Sequence, residues 1–348
     1  MKISRTDRMF ISIIVISLIA AAVSGSGVSL FASLLVAGLA ILIKGADFLV
    51  DGGSKIAEHY GISHMIIGLT IVAFGTSMPE FMVSVYASFI GSGGISVGNI
   101  VGSNIFNILM VIGLPAIISP LLVKEATGFD SKFMILASAL LFILSFGLLE
   151  GLGDLYIVGT IDGIILLSCF AFYLWKTIGD AKKQKDAHSE ERKGRPPNKR
   201  IPLSILMVLI GITGIGIGGQ MLVDNGRMLA YAFGIPELII GLTLMAFGTS
   251  FPELAASVIS VLKKKHDIAI GNIIGSNIFN ILFVGGAAAL VRPISDMAGR
   301  TVFIEIPFMI LVSLLFIFFI KTGSKITRKE GIILVLLYAV FMAYLFLF

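Results

Sequence analysis

Charge is scarce in this sequence. Only 14% of its 348 residues are charged, 57% are hydrophobic, and the mean hydropathy is +1.01. So few charges cannot cover the outside of a water-soluble domain. Cysteine occurs once, as Cys169 in an apolar run. That excludes an intrachain disulfide and a thiolate metal cluster, and Cys169 reads as a small lipid- or core-facing residue. Histidine occurs four times, as His59, His64, His188 and His266, near span ends or in loops and without metal-ligand spacing. These read as solvated or interfacial. The apolar runs also lack a nucleophile–base pair and a His/Asp metal set, which argues against an intramembrane enzyme.

Long apolar runs are what the sequence has instead. A helix needs roughly 20 apolar residues to cross a hydrocarbon core. In lipid every backbone polar group must be paired internally, and the runs do not alternate as barrel strands would. The expectation is an all-α integral membrane protein. Five spans fall at about 29–50, 64–90, 96–121, 131–149 and 155–176, and five more at about 202–223, 237–262, 268–291, 301–321 and 330–348. Ahead of them, Lys2, Arg5 and Arg8 precede the short apolar run Met9–Val23, so residues 1–28 read as an extra helix or a signal peptide.

The net charge of +5 is explained by its location and is not a nucleic-acid signal. Residues 176–200 hold nine Lys/Arg against four Asp/Glu, with Pro196 and Pro197 among them. Positive charge beside spans favours the cytoplasmic side. Residues 177–201 are therefore expected to be a cytoplasmic loop dividing a first half, 29–176, from a second, 202–348. Counting spans outward from that loop puts Lys263–Lys265 and Lys321–Lys329 on the same side.

The two halves repeat each other. Gly68-Leu-Thr-Ile-Val-Ala-Phe-Gly-Thr-Ser-Met-Pro-Glu80 returns as Gly241-Leu-Thr-Leu-Met-Ala-Phe-Gly-Thr-Ser-Phe-Pro-Glu253. Gly98-Asn-Ile-Val-Gly-Ser-Asn-Ile-Phe-Asn-Ile-Leu109 returns as Gly271-Asn-Ile-Ile-Gly-Ser-Asn-Ile-Phe-Asn-Ile-Leu282. Both copies lie 173 positions downstream, without a gap. Chance likeness of apolar helices would not keep Pro, Glu, Ser and Asn in register. Five spans per half is an odd number, so the second half is expected to enter the membrane inverted, with a site near the midplane between halves.

Glu80 and Glu253 are the chemically informative residues. An ionised group inside an apolar span is expensive, and no Lys or Arg lies at comparable depth to neutralise either one. Two acids in equivalent positions call for a cation or protons. Pro79 and Pro252 lack an N–H and break the helix beside each glutamate, freeing carbonyls at Gly75 and Gly248. Helical spacing puts Ala73, Ser77 and Glu80 on one face with Thr76 adjoining, and Ala246, Ser250 and Glu253 with Thr249 likewise. In the next span Asn99, Ser103 and Asn107 share a face, as do Asn272, Ser276 and Asn280. Gly98, Gly102, Gly271 and Gly275 read as close-packing positions, and Asp51 and Asp224 as helix caps. The donor set is all oxygen, without sulfur or imidazole. It suits hard ions, and Ca2+ with its six to eight oxygen ligands above all. Two carboxylates balance one Ca2+, and several Na+ ions are an alternative load.

The doubled G-T-S-x-P-E and G-N-x-x-G-S-N-I motifs resemble the calcium/cation antiporter superfamily, most closely its microbial sodium/calcium exchanger branch. The resemblance implies a ten-helix core of two inverted five-helix repeats. It implies Ca2+/Na+ exchange without a cofactor by a multi-pass plasma-membrane protein acting as a monomer. Glu80 and Glu253 are then the shared ligands. Thr76, Ser77, Thr249 and Ser250 give hydroxyls and carbonyls, Ala73 and Ala246 give carbonyls, and Ser103, Asn107, Ser276 and Asn280 complete the set. The first helix of each half is expected to slide against the other eight. Relatives that also carry K+ have Asp at the position of Asn107 or Asn280. Both are Asn here, so no K+ requirement is expected. H+/Ca2+ exchange is the runner-up, because the proton-coupled branch uses different acidic motifs, and a cation channel stands behind it.

Overall fold

Without water to satisfy it, a backbone in lipid pairs its polar groups within the segment, and the apolar runs accordingly form helices. The computed structural model describes residues 5–24, 27–123, 128–147, 156–187, 201–234, 248–295 and 297–347. Within them the helices are α1 (Arg5–Ser24), α2 (Val28–Tyr60), α3 (His64–Thr76), α4 (Met78–Phe89), α5 (Gly93–Ile118) and α6 (Gly128–Leu144). They continue as α7 (Thr160–Ala187), α8 (Ile201–Ala232), α9 (Phe251–Leu262), α10 (His266–Val291), α11 (Thr301–Gly323) and α12 (Arg328–Leu347). Among the described residues six helices are long and apolar enough to cross a membrane, namely α2, α5, α7, α8, α10 and α11. The pair α3 and α4, bent by 49° at their junction, makes a seventh, broken span. Trp175, Phe233 and Val340 are 73%, 72% and 66% exposed on this bundle, an apolar exterior of the kind lipid covers. The chain is a multi-pass membrane protein.

Several boundaries differ from the sequence expectation for one physical reason. Leaving the hydrocarbon does not end a helix; losing the next hydrogen bond or meeting a cap does. Thus α2 runs on past residue 50 to Tyr60, where Gly61 adopts φ 69° and its N–H bonds Ala57 O at 2.8 Å. α8 likewise continues to Ala232, with Gly234 at φ 73° behind it. α7 extends to Ala187, so the first part of the expected loop is helical, with Lys176 and Asp180 paired one turn apart at 3.0 Å. The rest of that loop, residues 188–200 with Pro196, Pro197 and His188, lies outside the described residues. Of the N-terminal segment, Arg5–Ser24 is helical and packs on α2.

Not everything described is helical. Leu121–Leu122 and Lys325–Ile326 form a two-residue antiparallel ladder, and Val158 bridges Ile294. These short pairings join loop ends whose backbone groups need partners.

α5 and α10 occupy the centre. Of their most apolar windows 78% and 83% is buried, against 28% for α2, which lies on the flank. α3 crosses α10 closely, because a Cβ on Gly271 would meet Met65 O at 2.5 Å and one on Gly275 would meet Leu69 O at 2.6 Å. The expected packing role of those two glycines is thereby accounted for. At Gly98 and Gly102 no described atom comes within 4 Å of such a Cβ.

On the flank α2 and α8 lie against each other through glycines seven residues apart. Gly38 faces Gly218 and Leu222, Gly45 faces Gly211 and Ile215, and Gly52 faces Ser204 and Val208. The partner numbers fall as the first numbers rise, so the two helices are antiparallel.

Candidate ion-binding site

The break between α3 and α4 is built locally. Ser77 has φ −86° and ψ 9°, and Pro79 sits in the first turn of α4, where its missing N–H costs no intrahelical bond. Ser250 repeats the geometry ahead of α9, with φ −96° and ψ 5° and Pro252 in the first turn. The carbonyl of Ala73 accepts the Ser77 N–H at 3.0 Å, so it is already engaged. Ala246 lies outside the described residues.

Each break brings a glutamate to the interior, and the two halves serve each other there. Glu80 and Glu253 are both 0% exposed. The Ser250 hydroxyl donates to Glu80 Oε1 at 2.9 Å, and the Ser77 hydroxyl donates to Glu253 Oε1 at 2.7 Å. The next shell is crossed in the same way. Thr76 Oγ1 donates to Asn272 Oδ1 and Thr249 Oγ1 to Asn99 Oδ1, both at 3.2 Å. Asn99 Nδ2 donates to Glu80 O at 3.2 Å and Ser84 Oγ at 2.9 Å; Asn272 Nδ2 donates to Glu253 O at 3.5 Å and Ser257 Oγ at 3.2 Å. Ser276 adds a 3.4 Å bond to Glu253 Oε1, and Ser103 lies 3.4 Å from the Thr249 hydroxyl. Apart from these two serine contacts, each bond has its counterpart 173 positions on.

Some oxygens are left over. Glu80 Oε2, Glu253 Oε2, Asn107 Oδ1 and Asn280 Oδ1 are buried without a hydrogen-bond partner. Each half thus supplies one carboxylate and one amide oxygen. Among the described residues no ion pair joins either glutamate to a basic side chain. A buried charge in that condition is strongly penalised, and unsatisfied buried polar atoms are rare. Oxygens of this kind are ligands for hard cations. Both amides begin or enter a π-helical turn, Asn107–Val111 and Phe279–Val284, a distortion often found at functional sites. A cavity of about 650 Å3 opens beside the breaks, lined by Gly75, Pro79, Met82, Gln220, Thr249 and Pro252, among others.

Of the sequence-derived site residues, Thr76, Ser77, Glu80, Ser103, Thr249, Ser250, Glu253 and Ser276 meet in this network and Asn99 and Asn272 join them, whereas Asn107 bonds Asn277 and Asn280 has no hydrogen-bond partner. Asn99 and Asn272 were legible as sharing a face with the serines, but their place in the crossed network was not. Asn104 and Asn277 are 0% and 1% exposed and were not singled out. Their own 173-residue spacing inside the repeated motif was the available signal.

Two sequence expectations are corrected. Asp51 is no helix cap, because α2 continues nine residues past it; its carboxylate pairs with Lys263 at 2.6 Å, and Lys263 also binds the Asp47 carboxylate. Asp224 is likewise inside α8. Nor is His64 simply solvated. It is half-buried at the start of α3, its Nε2 lying 2.8 Å from Ser54 Oγ and 3.4 Å from Lys265 Nζ.

Known proteins share this architecture and sequence. The family model described as sodium/calcium exchanger protein matches residues 30–179 and 203–347. The sodium/calcium exchanger MaX1 of Methanosarcina acetivorans is 34% identical over 342 residues, covering 90% of this chain and 97% of that protein. The uncharacterized membrane protein MJ0091 of Methanocaldococcus jannaschii is 37% identical over 306 residues, covering 88% and 95%. The sodium-calcium exchanger NCX_Mj, soaked with 2.5 mM Na+ and 0.1 mM Ca2+, superposes with a TM-score of 0.77 at 32% identity, over 90% of this chain and 98% of that one. The same exchanger without Na+ and Ca2+ gives 0.78 at 32% identity, over 92% and 100%. On a family model that matches both halves and on relatives alike over nearly their whole length, this chain belongs to the sodium/calcium exchanger family, in its microbial branch.

Proposed function

We propose that the chain is a secondary antiporter that exchanges Ca2+ for Na+ at a site formed by Glu80 and Glu253. One observation carries the reading: two fully buried carboxylates, each hydrogen-bonded through one oxygen, keep the other oxygen unpartnered, and one amide oxygen from each half is unpartnered too. Two formal negative charges match one Ca2+, and oxygen donors of this kind also accept Na+. One site that holds either load, but not both, is the physical basis of exchange. In this reading Thr76, Ser77, Thr249, Ser250, Ser103, Asn107, Ser276 and Asn280 supply further oxygens, with Ala73 and Ala246 offering carbonyls as the helices move.

The architecture we propose is a ten-helix core of two inverted repeats, 29–176 and 202–348, joined by a cytoplasmic basic segment in a plasma-membrane protein. The antiparallel run of α2 against α8 supports inversion, since Gly45 and Gly218 are equivalent positions in the two halves. Inverted repeats with broken helices at the midplane favour a transporter over a channel. With Asn at 107 and 280 the site carries only the two glutamates' charge, so exchange proceeds without K+.

The test is Na+-driven Ca2+ uptake into proteoliposomes. Glu80→Gln and Glu253→Gln each remove one of the two charges, and uptake is expected to vanish in both. Normal uptake in either variant sinks the assignment. An imposed pH gradient that drives uptake as well as a Na+ gradient at matched voltage replaces it with proton coupling.

A further inference from the structure

We propose that Met134 and Asn277 are positioning residues that orient the Asn107 amide, so that its oxygen rather than its nitrogen serves the bound ion. The proposal rests on the reading above in one respect, that Asn107 is an ion ligand.

An asparagine amide has two ends of similar shape and opposite chemistry, and only the oxygen end can bind a cation. Something must decide which end faces the site. Asn107 Nδ2 donates to Asn277 Oδ1 at 3.1 Å, and Asn107 Oδ1 has no partner. That arrangement holds only while Asn277 turns its oxygen toward Asn107. Asn277 Nδ2 lies 3.6 Å from Met134 Sδ. A thioether accepts and cannot donate, so it selects the amino end of Asn277 and leaves the oxygen for Asn107. The three side chains are 0–1% exposed, so their partners are protein groups and not bulk solvent. A thioether at the far end thereby fixes the direction of two amides in series.

The device is confined to one half. The counterpart of Asn277 is Asn104, and neither of its amide atoms has a partner; the same holds for both amide atoms of Asn280. The matching thioether, Met309 in the repeated Phe-Met-Ile-Leu-x-Ser, therefore holds neither end of Asn104. Asn107 is the pre-oriented amide of the pair, and Asn280 is not.

The experiment is a double-mutant cycle on the KM for Ca2+ in Na+-driven uptake, with rates normalised to folded protein. Asn277→Ala is expected to raise KM about tenfold, the size of one buried hydrogen bond lost. It should add nothing when Asn107 is already Ala, because a residue acting through another has no separate effect. Met134→Leu keeps the volume and removes only the acceptor. It should raise KM about threefold in the native background, and not at all with Asn107→Ala. This milder pair carries the test if Asn277→Ala fails to fold. Multiplying effects in either cycle, or an unchanged KM in Asn107→Ala, overturn the positioning role. If Glu80→Gln still abolishes uptake, the exchange function survives that outcome, and normal uptake in Glu80→Gln removes the function itself.

Discussion

Gly45→Ala offers a sharp test of how the flank helices meet. A Cβ at Gly45 would sit 2.6 Å from Ile215 N, 2.9 Å from Gly211 O and 2.9 Å from Gly214 C. All three are backbone atoms of α8, so no side chain can turn aside, and the two helices must separate. Overpacking of this kind costs about 1–3 kcal/mol, and backbone contact on every side puts it at the top of that range. Against this, alanine is a better helix former than glycine by about 1 kcal/mol. The net expectation is a loss of about 2 kcal/mol. Gly179→Ala in α7 is the control, because no described atom lies within 4 Å of its added methyl. It keeps only the gain of about 1 kcal/mol. One chemical change at two glycines should therefore differ by about 3 kcal/mol, more than a hundredfold in the ratio of folded to unfolded protein. Thermal unfolding of the purified variants in one detergent reads the difference. Equal melting of Gly45→Ala and Gly179→Ala would show that α2 and α8 do not approach as described.

Ser77→Ala removes the 2.7 Å bond to Glu253. A hydrogen bond to a charged group contributes about 1.5–3 kcal/mol, so the KM for Ca2+ should rise at least tenfold. Ser250→Ala should do the same within a small factor; a large inequality between the two would refute their equivalence. Lys263→Met leaves the Asp47 and Asp51 carboxylates without their cross-helix partner. These groups are partly exposed, so the loss falls between surface and buried pairs, about 1–2 kcal/mol. Asp51→Asn should recover part of that loss in thermal unfolding, and no recovery would mean that the charge pair is incidental.

The repeat was the most legible feature of the sequence, because the spacing of 173 places Ser77, Glu80, Asn99 and Ser103 beside their counterparts without any coordinates. What the sequence concealed was the crossing. Helical periodicity puts Ser77 and Glu80 on one face of one segment and implies that they act together, whereas the Ser77 hydroxyl reaches Glu253. Periodicity describes one helix at a time, and a bond between helices depends on how they pack. Helix ends were hidden for a related reason. Hydropathy marks where lipid stops, at about residue 50, but the backbone of α2 stops only at the left-handed glycine Gly61. The role of Asp51 was misread in consequence, since a residue taken for a helix end was nine residues inside it.

The crossing also bears on how a load would be coupled to motion. Neither half supplies all the polar contacts of its own glutamate, because the shorter serine bond to each carboxylate comes from the other half. An ion drawing the free oxygens of Glu80 and Glu253 together would pull on both breaks at once. Removing it would return two carboxylates to a buried site with one hydroxyl bond from the opposite half apiece, and Ser276 as an extra donor on Glu253. The emptied pair is then the costly state, since like charges repel and burial disfavours both. A site that is costly when empty resists crossing the membrane unloaded, and in the proposed exchange that would tie the exit of Ca2+ to the entry of Na+.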